Sequence, residues 1–257
     1  MDSNLEIALI QTHLIWENPI ANRKNIEAKL QLIKNDVAIV VLPEMFTTGF
    51  TMKPENVAQE EGIKTLEWLK ALASTYGFAL VGSTIWQEEG NYYNRLFFVT
   101  PSGNVHSYDK KHTFTLAGED KVYIAGTEHL FITYQGFKIC PLICYDLRFP
   151  VWARNTVDYD VLLYVANWPK PRINAWDTLL KARAIENMAY CIGVNRIGID
   201  GIGYEYPGHS AVYDVLGQQV AFSQKEEVLY ANLSKDHIQF NRKKLRFLED
   251  RDPFTLL

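Results

Sequence analysis

Strand-sized apolar runs that stop on a chemically useful side chain recur along this chain, and they constrain its fold more than any other feature. Cys140-Pro141-Leu142-Ile143 is unbroken and apolar, ends on Cys144, and opens straight into Tyr145-Asp146-Leu147-Arg148-Phe149-Pro150. Ala38-Ile39-Val40-Val41-Leu42-Pro43 ends on Glu44, and the alternating stretch Val105 to Asp109 ends on Lys110. Short runs apolar throughout read as strands buried on both faces. Ligands of open α/β sheets gather beyond the carboxyl ends of the strands. A thiol, a carboxylate and an amine at three such ends are the parts of a cysteine hydrolase that has no histidine base.

The rest of the chain alternates between the two periodicities. Further strands read at Leu5–Gln11, Phe78–Trp86, Tyr92–Thr100, Phe131–Tyr134, Asp160–Asn167, Cys191–Ile197, Ser210–Val215, Gln219–Ser223 and Val228–Leu233. Apolar stripes at helical spacing predict helices over Asn18–Asn35, Gly62–Tyr76 and Ile173–Met188. Gly77 suits a helix C-cap, and Glu88-Glu89-Gly90-Asn91 suits a hairpin. Strand-helix-strand units mixed with hairpins imply an α/β fold of mixed sheets with helices outside. No linker, low-complexity tract or repeat divides the chain, so residues 1–257 read as one domain. The tail from Leu245 to Leu257 is apolar at Phe247, Leu248, Phe254, Leu256 and both ends, and is expected to pack on the body or on a partner subunit.

Charge and motifs exclude several functions. The net charge is -4 and no basic tract is available to neutralise phosphates, which argues against nucleic acid or a membrane surface as partner. Arg242-Lys243-Lys244 with Arg246 is bracketed by acids and reads as a solvated face. Three cysteines without a CxxC pair fit a reducing compartment. No basic leader precedes the first strand and no apolar run approaches the roughly 20 residues of a membrane helix, so a cytoplasmic location is expected. There is no HxH or HExxH spacing, and no GxSxG, GxGxxG or P-loop. A metal, a dinucleotide, a nucleoside triphosphate and a serine nucleophile are therefore not expected.

Each candidate residue has a plainer alternative. A free cysteine is more often a small core hydrophobe, and Cys140 and Cys191 read that way. Cys144 differs because the apolar pattern stops at it. Glu44 could be an ordinary strand-end carboxylate, yet Pro43 and Met45-Phe46-Thr47-Thr48-Gly49-Phe50 give it apolar surroundings, the setting of a usable general base. Lys110 competes with Lys111, and strand alternation sends the two to opposite faces, so at most one enters a shared site. His13, His106, His129 and His237 lie in unremarkable contexts. His112 alone is near a candidate, which leaves a Cys144–His112 dyad as the competing arrangement.

With Glu44, Lys110 and Cys144 in that order, the sequence resembles the nitrilase superfamily of carbon-nitrogen hydrolases over nearly its whole length. Leu42-Pro43-Glu44, Tyr108-Asp109-Lys110-Lys111-His112 and Ile143-Cys144-Tyr145-Asp146-Leu147-Arg148-Phe149-Pro150 resemble its three catalytic motifs. Glu119, seven residues before Gly126, falls where the family keeps a second glutamate beside the lysine. Ala182-Arg183-Ala184-Ile185-Glu186-Asn187 and Gly208-His209-Ser210 also match. The resemblance implies a four-layer αββα sandwich of two mixed β-sheets with helices on both outer faces. It also implies a homodimer that buries the Ile173–Met188 region and gives the tail a partner.

Within the family, Met45 to Phe50, Thr115-Leu116-Ala117-Gly118-Glu119 and Ala166-Asn167-Trp168-Pro169 resemble the ω-amidase branch. That branch hydrolyses the terminal amide of small ω-amido-2-oxo acids such as 2-oxoglutaramate and 2-oxosuccinamate, through a cysteine thioester and with release of ammonia. Thr113 departs from the leucine many relatives carry, which bears on pocket detail only. The resemblance assigns Cys144 as nucleophile, Glu44 as base, Lys110 with the Tyr145 backbone N–H as oxyanion donors, and Glu119 as the group that holds the lysine. No cofactor is implied. A carboxylate-bearing substrate needs a clamp, for which Arg148, Arg172 and Arg196 are candidates, although Arg148 is as readily a structural partner of Asp146. Trp168 is either a pocket wall or a core aromatic. The rival readings are another family reaction, on nitriles or N-carbamoyl amino acids, and a non-catalytic interaction protein that keeps the fold.

Overall fold

The computed structural model describes residues 3–256. One sheet contains β1 (Asn4–Gln11), β2 (Ile39–Val41), β3 (Ala79–Glu88), β4 (Asn91–Val99) and β5 (Val105–Asp109), with the late strand β14 (Glu227–Ser234) on the free side of β1. The other contains β6 (Ile132–Tyr134), β7 (Phe137–Ile143), β8 (Val161–Ala166), β9 (Tyr190–Asn195), β12 (Ser210–Tyr213) and β13 (Gln219–Ser223). A separate ribbon pairs β10 (Ile197–Ile199) with β11 (Glu205–Pro207). Each sheet has a parallel centre, β1-β2-β3 and β7-β8-β9, flanked by antiparallel strands. The helices are α1 (Pro19–Leu30), α2 (Glu61–Tyr76), α3 (Ile173–Asn187) and α4 (Lys235–Leu245).

Strand alternation decides the layers. On β1, Leu5, Ile7 and Leu9 join the large core that also holds Leu142, Val165 and Val194 of the second sheet. The intervening Ala8 and Ile10 pack instead with Ile26 and Leu30 of α1 and Leu69 and Ala73 of α2. Burying one such side chain is worth roughly 1.5–3 kcal/mol, and a one-residue slip would send the whole set to the wrong face. On the far side, α3 lies flat on β9. A Cβ at Gly193 would meet Leu180 Cδ1 at 2.4 Å and Trp176 Cζ2 at 2.7 Å, so glycine there is what lets the helix approach. The order is helix, sheet, sheet, helix: the αββα sandwich.

Several boundaries differ from the sequence reading. α1 ends at Leu30 because Leu32 and Ile33 tighten onto Lys29 and Leu30 in i→i+3 bonds that turn the chain back toward β2. The β3–β4 hairpin is a two-residue turn with Glu89 (φ 50°) and Gly90 (φ 79°) both left-handed, which matches the twist of its strands. Neither the β10–β11 ribbon nor α4 was anticipated. The basic stretch Arg242-Lys243-Lys244 forms the last turn of α4, and Arg242 is not a solvated residue: its Nε donates to the Met188 carbonyl at the end of α3 (2.8 Å). Leu245 and Leu248 pack on the main core, while Phe247, Phe254 and Leu256 stay exposed. Leu257 lies outside the described residues. Among the described residues no helix is long and apolar enough to cross a membrane.

The topology places the site. β5 is two antiparallel pairings removed from β3, so it runs in the direction of β2. The carboxyl ends of β2 and β5 therefore share a rim, and those of β7 and β8 share another.

Candidate active site

The two rims meet at Glu44. Its Oε1 accepts from Lys110 Nζ (2.9 Å) and from the Asn94 side-chain amide (2.8 Å), and its Oε2 accepts from the Asn167 backbone N–H (2.8 Å). The Asn167 amide also donates to the Glu44 carbonyl (2.6 Å). The turn bearing Glu44 is held to β3, where Ser83 accepts from Met45 N (2.9 Å) and Phe46 N (3.1 Å). Lys110 emerges from β5 and donates to both oxygens of Glu119 as well, at 3.0 and 2.9 Å. Gly126 donates to the Lys110 carbonyl (2.9 Å), and a Cβ at Gly126 would sit 2.2 Å from the Asp109 carbonyl. Only glycine permits that approach.

Cys144 closes the site from the second sheet. It follows directly on β7, takes a left-handed backbone (φ 44°), and starts the 3₁₀ segment Cys144–Arg148. Such a φ at a residue with a Cβ costs on the order of 1–3 kcal/mol, a strain that recurs at functional sites. The sulfur lies 4.0 Å from the Asn167 carbonyl. Asp146 organises this turn. Its carboxylate is fully buried and accepts from Ile143 N (3.0 Å), Tyr108 Oη (2.8 Å) and His112 N (3.0 Å), and it engages His112 Nδ1 at 2.8 Å. One acid thus joins the nucleophile turn to the segment that follows Lys110.

Burial and charge set the protonation states. Lys110, Glu44 and Glu119 are at most 1 % exposed. Burial alone would depress the Lys110 ammonium, but Glu119, Glu44 and Cys144 outweigh it and hold its pKa above the ordinary lysine value. Glu119 is raised by burial and by Glu44, against the lowering from Lys110. The Cys144 thiol is pushed well up by burial and Glu44, and Lys110 offsets this only in part. The sulfur at rest is a neutral thiol, whereas opposite-charge stabilisation by Lys110 would have suggested a thiolate.

Cys144 opens into a cavity of about 410 Å³, with Tyr145, Arg148, Asn167 and Trp168 among its walls. Trp168 is both wall and core, since its ring packs on Trp176 (5.4 Å) and its Nε1 donates to the Arg172 carbonyl (2.8 Å). Arg148 does not pair with Asp146; its guanidinium lies over Trp168 at 5.0 Å. Arg172 also lines the cavity, but Arg196 does not. Arg196 is fully buried, donates to the Leu14 carbonyl (2.8 Å), and stacks on Tyr206. Lys111 leaves the site and lies over Trp152 at 5.1 Å. His112 is stacked on Phe149 at 3.6 Å with its Nδ1 held by Asp146, so it is not placed as a partner of Cys144. Among the described residues no group of three or more His, Cys, Asp or Glu could hold a metal ion.

Two residues that sequence reasoning had not singled out complete the site. Asn94 bridges Glu44 (2.8 Å) and Glu119 (3.3 Å), and Asn167 holds Glu44 by side chain and main chain. Asn94 left a signal: with Leu96 and Phe98 it occupies the inward face of β4 at period two, a polar residue where the pattern calls for an apolar one.

The carbon-nitrogen hydrolase family model matches residues 6–243. The chain belongs to that family. This carbon-nitrogen hydrolase is 41% identical to the ω-amidase YafV of Yersinia enterocolitica over 257 residues, 99% of this chain and 100% of the relative. It is 34% identical to the 2-oxoglutaramate amidase of Bacillus subtilis, over 86% of this chain and 87% of the relative. The crystal structure of XC1258 from Xanthomonas campestris, a CN-hydrolase superfamily protein with an arsenic adduct in its active site, superposes with a TM-score of 0.96 at 38% identity and covers all of both chains.

Proposed function

We propose that this carbon-nitrogen hydrolase cleaves the terminal amide of a small ω-amido-2-oxo acid of the 2-oxoglutaramate type, by way of a thioester on Cys144. The observation that carries the reading is a convergence behind the cavity wall: Cys144 lines the cavity and feels the charges of Glu44, Lys110 and Glu119, with the ammonium clamped between the two buried carboxylates. The full-length likeness to an ω-amidase and to a 2-oxoglutaramate amidase supports the substrate class.

In the proposed sequence, Glu44 takes the Cys144 proton as the sulfur attacks the amide carbon and the carbonyl oxygen becomes an oxyanion. A base is needed because burial keeps the sulfur protonated at rest. Lys110 and the Tyr145 backbone N–H face the oxyanion; a donor of this kind is worth roughly 10²–10³ in rate. Glu44 passes its proton to the nitrogen, the C–N bond breaks and ammonia leaves. Glu44 then takes a proton from water as it attacks the thioester carbon; the C–S bond breaks, the acid leaves, and Glu44 returns the proton to the Cys144 sulfur. Glu119 and Asn94 keep Lys110 and Glu44 in register.

Ammonia release from 2-oxoglutaramate by wild type and Cys144→Ala tests this, with intact-mass detection of an acyl adduct on Cys144. Substantial turnover by the alanine variant would overturn the nucleophile assignment. The proposal extends to one domain over residues 1–257, in the cytoplasm, as a homodimer. Exposed Ile185 on α3 and Phe247, Phe254 and Leu256 in the tail support that contact, and analytical ultracentrifugation checks it.

A further inference from the structure

Arg183 belongs to α3, the helix on the outer face of the second sheet, and yet it is only 3 % exposed. Its Nη1 donates to Glu186 Oε1 (2.9 Å), an acid whose own side chain stays 36 % exposed. Burying a cation costs free energy unless pairing and hydrogen bonds compensate, and a solvated acid compensates little. The second bond of the guanidinium reaches elsewhere: Nη2 donates to the Leu147 carbonyl (2.7 Å), inside the nucleophile turn. Leu147 is fully buried, three residues after Cys144 and two after Tyr145. A 3₁₀ segment leaves its last carbonyls without partners of its own. That of Asp146 accepts from Phe149 N (3.0 Å), and that of Leu147 is left to Arg183.

The turn is therefore braced at two points. Asp146 ties it to Tyr108 and His112, and Leu147 ties it to α3. The end of α3 is itself clasped to the chain that follows the turn. Asn187 donates to the Arg183 carbonyl (3.0 Å) and accepts from Asn155 N (2.8 Å), while Asn155 Nδ2 donates to the Asn187 carbonyl (3.0 Å). The Arg154 guanidinium donates to the Glu186 carbonyl. Cys144 carries a positive φ (44°), a strained conformation that its surroundings have to impose. A carbonyl three residues on, locked to a packed helix, supplies part of that constraint. A planar guanidinium fixes direction as well as distance, which an ammonium on a flexible stem does not.

We infer that Arg183 is a positioning residue for the acyl chemistry: through the Leu147 carbonyl it holds the turn so that the Tyr145 N–H points at the oxygen of the bound acyl group. The part played by Tyr145 rests on the thioester reading above; the bracing of the turn does not. Arg183 reaches the reaction only through main-chain geometry, and a misplacement of about 1 Å from a remote change costs on the order of 100-fold in rate. Its effect falls on steps in which a carbonyl carbon becomes tetrahedral. Displacement by the sulfur at a saturated carbon, where no oxyanion forms, is spared.

Two reactions of Cys144 separate these cases. p-Nitrophenyl acetate acetylates the sulfur through a tetrahedral oxyanion and releases p-nitrophenol, whereas iodoacetamide alkylates it with loss of iodide and forms no oxyanion. Both rates are measured at one pH on wild type, Arg183→Met, Arg183→Lys and Arg183→Gly, with the adducts located by peptide mass. Ammonia release from 2-oxoglutaramate is followed in parallel. In Arg183→Met acetylation should fall about 100-fold, the usual loss of one oxyanion donor, with alkylation unchanged within about threefold. Millimolar guanidinium should return part of the acetylation rate to Arg183→Gly and leave wild type as it was. If Arg183→Met does not fold, Arg183→Lys gives the same comparison, with the charge kept and the planar group lost. Acetylation and alkylation that fall together, acetylation that stays at the wild-type rate, or a glycine variant indifferent to guanidinium overturns the inference. Acetylation that falls alone, in an enzyme whose wild type frees no ammonia from 2-oxoglutaramate, upholds Arg183 and rejects the amidase reading.

Discussion

Lys110→Met removes one charge from the centre of the site and keeps most of the side chain's volume. In the wild type the ammonium lies 2.9–3.0 Å from three carboxylate oxygens, all in residues at most 1 % exposed. Without it Glu44 and Glu119 remain buried together, bridged only by the Asn94 amide. Breaking a buried ion pair by removing one partner costs about 3–5 kcal/mol. Unfolding entropy of roughly 2.1 cal/mol/K per residue over 257 residues converts that to a loss of about 6–9 °C in Tm. The loss should depend on pH, with a definite sign. Glu119 is already raised by burial and Glu44, and the variant deletes the group that lowers it. The folded variant then binds more protons than the unfolded chain above the ordinary glutamate value of 4.5, so its stability falls as pH rises through that region. Thermal unfolding from pH 5 to pH 8 should show a penalty, relative to wild type, that grows with pH, while kcat/KM for 2-oxoglutaramate drops at least about 100-fold. A penalty flat in pH would mean the ammonium does not lower the pKa of Glu119. Turnover within about tenfold of wild type would remove Lys110 from the chemistry.

The neighbouring lysine is the control: Lys111→Ala should change kcat/KM less than about threefold, because its ammonium lies over Trp152, and a larger loss would mean the wrong lysine was chosen. Asp146→Asn places an amide where four donor contacts converge, and should lower kcat with little change in KM and cost at least about 2 kcal/mol in denaturant unfolding. Lost stability with kcat intact would confine Asp146 to a folding role. Because the Cys144 thiol is raised well above its ordinary value of 9.0, its alkylation by iodoacetamide should accelerate steadily from pH 7 to pH 9. A rate already level below pH 7 would show a resting thiolate.

Much of this molecule is written locally. Uninterrupted apolar runs made β2, β7 and β8 legible, because a strand buried on both faces has no polar position to disguise it. The abrupt ends of β2 and β7 marked Glu44 and Cys144, and the end of the alternating β5 marked Lys110, before any contact was known. The β10–β11 ribbon and α4 were not legible. The first is made of two three-residue strands in which only Tyr206 is buried, and α4 buries only Ile238 and Asn241. Neither carries an apolar period long enough to read.

Sequence by itself determined most strands of the two six-stranded sheets and where the chain halts on a reactive group. Tertiary structure alone decided which of those groups meet. The bond from Asn167 to Glu44 spans 123 positions, and it exists because two sheets pack with their carboxyl-terminal rims in contact. No periodicity within either segment encodes that distance. Nor does sequence tell a paired arginine from a free one: Arg148 stands two residues from Asp146, yet that acid is saturated by Tyr108, His112 and Ile143, and the guanidinium turns to Trp168 and the cavity. Proximity along a chain sets what can interact; packing sets which partners are left.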